Sequence, residues 1–187
     1  MISYSLGWRK STLIAALMIS SLMFSVMPAS EANAATYACS NGGMPSRVIG
    51  LQYSGVNQNW QDGFATARGR WNSAGVSASI TVYSGSPSYM TAANYTNQSW
   101  YGLYTPVVAI FGGVGGFSIQ VNATTLNNDA PSAQYWTWVL STSTHELGHA
   151  LRLNDNPNTT SSTLMSHARN RSTVGSPTAY DEVPHFL

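Results

Sequence analysis

The stretch His145-Glu146-Leu147-Gly148-His149 constrains this chain more than any other, because it asks one helix to bring two imidazoles and a carboxylate to one place. Residues four apart on an α-helix lie one turn apart on the same face. His145 and His149 can therefore reach a single ion, while Glu146 projects close enough to meet a water on it. The helix that carries them is expected over "PSAQYWTWVLSTSTHELGHAL", with Pro131 and Ser132 at its start and Trp138, Leu147 and Leu151 available for burial. Two histidines are an incomplete set, since a catalytic zinc keeps three protein ligands and leaves one position for water. Asp155, six residues beyond His149 and past the expected helix end, offers a carboxylate. Its rival reading is a turn: "NDNPN" is turn-forming, and Asp155 could equally bond its own backbone.

Upstream of this helix the hydrophobic period changes several times. "RVIGLQYS" (47–54), "SASITVYSG" (77–85), "PVVAIFGG" (106–113) and "FSIQVNAT" (117–124) read as four strands. Between the first two, Trp60, Phe64, Ala67 and Trp71 recur at steps of 4, 3 and 4, one stripe of a helix ending before Gly75, and both tryptophans read as core. The glycine-rich "FGGVGG" lacks the Lys-Ser/Thr of a phosphate loop and is not followed by a helix, so it reads as a turn. After His149 the pattern dissolves into Asn, Ser and Thr. Strands before a long helix, followed by an irregular tail crossing back over it, predict an α+β fold: a mixed sheet packed against a long active-site helix, with an irregular C-terminal part.

Only 8% of residues are charged and the formal net charge is +1, which excludes a nucleic-acid-binding field, while 43% hydrophobic residues exclude a disordered chain. Arg9 and Lys10, the apolar run from Thr12 to Met27 and the small residues around Ala34 have the order of a signal peptide. Residues 1–34 are expected to be removed on export, leaving 35–187 as one domain without stable membrane insertion. The lone Cys39 cannot form an internal disulfide and is expected to be a free thiol. No Asp-rich calcium loop is visible.

The stretch "HELGHALRLND" resembles the metzincin metalloprotease signature, whose helix histidines fall on His145 and His149 and whose general base falls on Glu146. An aspartate at the last position, Asp155, is similar to the small bacterial snapalysin-like proteases, in which that residue is the third zinc ligand. "STLMSH" matches the methionine turn, with Met165 expected beneath the zinc. The run from about Arg47 to Asp181 resembles secreted bacterial matrixin-like proteases. The resemblance implies a mixed sheet whose upper strand lines an extended substrate, a role assigned to "FSIQVN". It also implies a tyrosine-like role for His167, two residues after Met165, in stabilising the oxyanion; a loop histidine and a replacement ligand for Asp155 stay open. Two departures stand out. Arg152 occupies the family's glycine, where the chain must leave the helix in a left-handed turn. The segment "DEVPHFL" stands where the family runs a closing helix, and Pro184 argues against starting one.

The resulting expectation is a monomeric, secreted, extracellular bacterial zinc endopeptidase acting on protein or peptide substrates, with no nucleic-acid partner. The competing class is a secreted, non-catalytic module that binds cell wall or glycan through aromatics such as those of "NQSWYGLYTP".

Overall fold

Alternation of buried and exposed residues builds the sheet, and one polar helix is laid across it. The computed structural model describes residues 42–109, 112–156, 163–178 and 180–181. The expected signal peptide, Cys39 and the segment after Asp181 lie outside the described residues. In chain order the elements are β1 (Val48–Tyr53), α1 (Gln58–Asn72), β2 (Ser79–Val82), β3 (Tyr89–Ala93), β4 (Gly102–Val108), β5 (Val114–Asn122), α2 (Ala123–Asp129) and α3 (Tyr135–Ala150), with a 3-10 turn at Ser132–Gln134 before α3. The five strands form one sheet in the order β2-β1-β3-β5-β4. Every pairing is parallel except β4 with β5, so the mixed α+β architecture expected from the sequence is present.

Ile49 and Leu51 of β1, Ile80 of β2, Met90 of β3 and Phe117, Ile119 and Val121 of β5 are fully or almost fully buried. Phe64, Ala67 and Trp71 of α1 and Leu147 and Leu151 at the end of α3 complete the same core. The stripe read from the sequence is thus the buried face of α1, capped at its start by Asn57, whose side chain accepts from the Trp60 N–H at 3.3 Å. Trp71 also donates its indole N–H to the Thr144 carbonyl at 2.7 Å, tying α1 to α3.

Two features of the sheet depart from the sequence reading. β3 is an additional strand, beginning where β1 ends, with Gln52 opposite Tyr89 and Tyr53 opposite Met90. The link from β2 reaches it by crossing β1 at Gly50, where a Cβ would overlap the Tyr83 ring. β4 starts at Gly102, four residues before the strand expected from Pro106. Pro106 is tolerated because β4 lies at the sheet edge. This corrects the assignment of "FSIQVN" as the substrate-lining strand, because β5 is paired on both sides, by β3 and β4, and of the two edge strands, β2 and β4, it is β4 that lies beside Glu146.

Beyond α3 the described residues form turns, as expected, and they run back along the helix one turn at a time. The Leu153 carbonyl meets His149, the Leu164 carbonyl meets His145, Arg169 meets Ser141, and Ser172 meets Trp138 and Gln134. Among the described residues no helix is long and apolar enough to cross a membrane.

The reversal that starts this tail is a two-bond helix stop. The Arg152 N–H donates to the His149 carbonyl and the Leu153 N–H to the Gly148 carbonyl, both at 3.0 Å. Arg152 sits between them at φ 70°, the left-handed conformation that its position requires. A non-glycine residue there costs roughly 1–2 kcal/mol. Arg152→Gly is expected to raise the midpoint of thermal unfolding by about 2–4 °C. A lower midpoint, measured calorimetrically, would show that packing of the arginine stem against Gly43 outweighs the backbone strain.

Candidate metal centre

The middle of α3 is polar and buried. Ser141, Thr142, Ser143, Thr144, His145 and Glu146 are all at most 6% exposed. Ser141, His145 and Glu146 take their partners from the returning tail and from β4, and Thr144 from α1 and its own helix, while the Thr142 and Ser143 hydroxyls have none among the described residues. Ser141 donates its hydroxyl to the Val174 carbonyl at 2.6 Å and accepts from Arg169 Nε at 3.1 Å.

His145 and His149 each place Nδ1 against a main-chain carbonyl, Leu164 at 2.9 Å and Leu153 at 2.7 Å. With Nδ1–H donated there, each Nε2 keeps a lone pair for the cleft, the orientation usual for metal-binding histidines. Arg169 Nη1 also stands 3.1 Å from His145 Nδ1. Burial first, and the Arg169 charge second, push the pKa of His145 down to about 3. It is therefore neutral over the working range, as a ligand must be. His145, Glu146 and His149 offer donor atoms within 4.8 Å of one another, a cluster that can coordinate a metal ion.

The helix stop at Arg152 brings Asp155 back to this cluster. Its Oδ1 lies 3.1 Å from His145 Nε2 and 4.0 Å from His149 Nε2. With its one proton on Nδ1, neutral His145 has none on Nε2 to give, so the shorter contact sets two lone-pair atoms side by side, the spacing that two ligands of one cation take. Burial raises the Asp155 pKa, but the surrounding imidazoles, His145 foremost, outweigh it and hold the group at about 2. His167 is exposed and lines the same cleft.

Glu146 faces β4. A Cβ on Gly102 would sit 2.5 Å from its Oε1, so only glycine lets the edge strand approach the carboxylate this closely. Burial pushes the Glu146 pKa up to about 7, against the lowering effect of nearby positive charge and a hydrogen bond from the Tyr104 backbone. The Tyr104 ring lies 6.0 Å from that of His149. The whole opens into a cleft of about 680 Å³ between β4 and the tail.

Met165 packs beneath this cluster, its sulfur against Gly148 between the two histidines. Its turn is held by Asp181, a buried carboxylate that accepts from the N–H groups of Leu164 at 3.0 Å, Met165 at 2.9 Å and Thr178 at 2.8 Å, and from the Thr178 hydroxyl at 2.8 Å.

Sequence reasoning found His145, Glu146, His149, Asp155, Met165 and His167, and all six stand in or directly under the cleft. It missed Asp181, Arg169 and Arg171. The signal for the tail was the stripe Gln134, Trp138, Ser141, His145, His149, a hydrogen-bonding row at helical spacing that demands partners. Arg169 is 5% exposed and gives its remaining donors to the Ser141 and Ser166 carbonyls. Burial lowers its pKa to about 9, still charged at neutral pH. Comparison with models of protein families and with curated proteins finds no match to the chain.

Removing the carboxylate that holds the methionine turn would strand its buried N–H groups. Asp181→Ala is expected to lower the free energy of unfolding by about 2–4 kcal/mol, measured by urea denaturation. A loss below about 0.5 kcal/mol, the range of an ordinary surface substitution, would contradict the role given to Asp181.

Proposed function

We propose that the chain is a zinc-dependent endopeptidase of the metzincin type, exported and acting on extracellular proteins as a single catalytic domain. The observation that carries this reading is the return of Asp155 to the two helix histidines. Atoms bound to one tetrahedral zinc at about 2.0–2.1 Å lie about 3.3 Å apart. The separations of 3.1 and 4.0 Å from Asp155 Oδ1 to the two Nε2 atoms fall on either side of that value, which supports His145, His149 and Asp155 as the ligand set. The donor set also fits: two imidazoles with carbonyl-anchored Nδ1 atoms, plus one ionised carboxylate.

When bound, zinc polarises a scissile carbonyl and lowers the pKa of water. Glu146 is then the proton carrier. It takes the proton of the attacking water and delivers it to the leaving amine. The free edge of β4 starts beside Glu146 and presents main-chain N–H and C=O groups. An extended peptide can pair with that edge and so be held across the reacting groups. His167, on the tail side of the cleft, is assigned to the developing oxyanion. Met165 under Gly148 and the antiparallel edge strand accord with the metzincin resemblance of the sequence.

The glycan-binding alternative draws less support. Two of the aromatics it needs are already engaged: Tyr101 donates its hydroxyl to Asp129 at 2.7 Å, and Tyr104 donates its own to the Gly42 carbonyl at 2.9 Å.

The zinc-loaded protein is expected to hydrolyse an unfolded protein substrate, with activity abolished by a chelator and restored by zinc. Glu146→Gln should keep zinc and lose at least about 100-fold in kcat/KM. Hydrolysis that survives either treatment contradicts the reading. Asp155→Ala is expected to release zinc, and His167→Ala to keep it with reduced turnover. Zinc kept in Asp155→Ala and lost in His167→Ala would transfer the third-ligand role to His167.

A further inference from the structure

The wall of the cleft that follows the methionine turn carries two guanidinium groups with different fates. Arg169 is consumed internally by the Ser141 hydroxyl and carbonyl and by the Ser166 carbonyl. Both line the cleft, but Arg171 is only half-buried. Its guanidinium carbon lies 4.2 Å above the Tyr101 ring and 5.9 Å from the Trp138 ring, so two aromatic faces fix its plane. Those rings are themselves immobilised, packed edge to face with centroids 5.8 Å apart. The Trp138 indole donates to Ser172 at 3.0 Å, and the Tyr101 hydroxyl to Asp129.

What this arrangement lacks is an anion. Among the described residues no carboxylate forms an ion pair with Arg171, and its half-buried side chain keeps Nε without a hydrogen-bond partner. The acids that share the cleft, Glu146 and Asp155, belong to the candidate metal cluster and form no ion pair with Arg171. An oriented, partly desolvated guanidinium with no carboxylate paired to it can receive a planar carboxylate in two-pronged fashion through its two Nη groups.

The position of Arg171 says which carboxylate. Glu146 touches Gly102, the first residue of β4, and Tyr101 immediately precedes it. A peptide adding antiparallel to the β4 edge, the slightly stronger pairing, runs its C-terminal half past Glu146 toward Tyr101 and Arg171. We propose that Arg171 is a specificity-determining residue that binds the carboxylate of an aspartate or glutamate immediately C-terminal to the scissile bond. This proposal rests on the zinc-peptidase reading.

The test uses zinc-loaded protein and peptides identical except for Asp, Asn, Glu or Gln at that position. The acid-to-amide ratio of kcat/KM is expected to be on the order of tenfold, as a hydrogen bond to a charged partner gives. It should fall close to one in Arg171→Gln and take an intermediate value in Arg171→Lys, which keeps the charge without the fork. A ratio near one in the unsubstituted protein, or one that survives Arg171→Gln, overturns the proposal. A second arm measures binding of the same peptides, uncleaved, to zinc-loaded Glu146→Gln by calorimetry, with and without Arg171→Gln. If no peptide of the set is cut, the peptidase reading fails while this arm still decides on Arg171. Tighter binding of the acidic peptides that disappears with Arg171→Gln upholds it, and equal or absent binding overturns it.

Discussion

A helix that carries a polar stripe into the protein interior has to be answered by partners along its whole length, and the rest of this structure is arranged around that requirement. Gln134, Trp138, Ser141, His145 and His149 of α3 and the turn before it each meet a group from the returning tail, taken in reverse order. Glu146, beside this row, is met by the Tyr104 backbone of the edge strand. Leaving such groups unpaired would cost about 1–3 kcal/mol each. The tail therefore has a defined course although it contains no helix or strand among its described residues.

The same course produces the site. A carbonyl at each Nδ1 turns both Nε2 atoms toward one point, and the tail can supply those carbonyls only if the chain reverses directly after His149. The left-handed residue at Arg152 accomplishes that reversal and brings Asp155 to within 3.1 Å of His145. Asp181 then fixes the second pass, in which Leu164 O reaches His145 while the Met165 sulfur fills the hollow beneath Gly148. Backbone strain at one residue and one buried carboxylate are thus coupled to the geometry of the donor atoms.

Much of this was legible in the residues. The α1 stripe, the long helix, the paired histidines and the left-handed demand on Arg152 follow from helical periodicity and from what a third ligand needs. β3 was not legible, because "YMTAA" is five residues long, ends in two alanines and joins the sheet only by crossing β1 at Gly50. The first half of β4 was hidden by Pro106, which reads as a strand start until the strand is known to lie at an edge. The substrate-lining role was consequently given to β5, whose cleaner alternation marks it as an interior strand of the sheet. Arg169, Arg171 and Asp181 lie in a segment without period, and only the three-dimensional course of the tail separates the buried guanidinium from the half-buried one.

The central claim is that two imidazoles and the Asp155 carboxylate converge on one metal ion. Zinc-edge X-ray absorption on the dialysed, zinc-loaded protein tests it most directly. The account predicts one zinc per chain, bound by four nitrogen or oxygen atoms at about 2.0–2.1 Å, with the scattering of two imidazoles and no sulfur. Failure to retain stoichiometric zinc, or a shell containing three imidazoles, would contradict it.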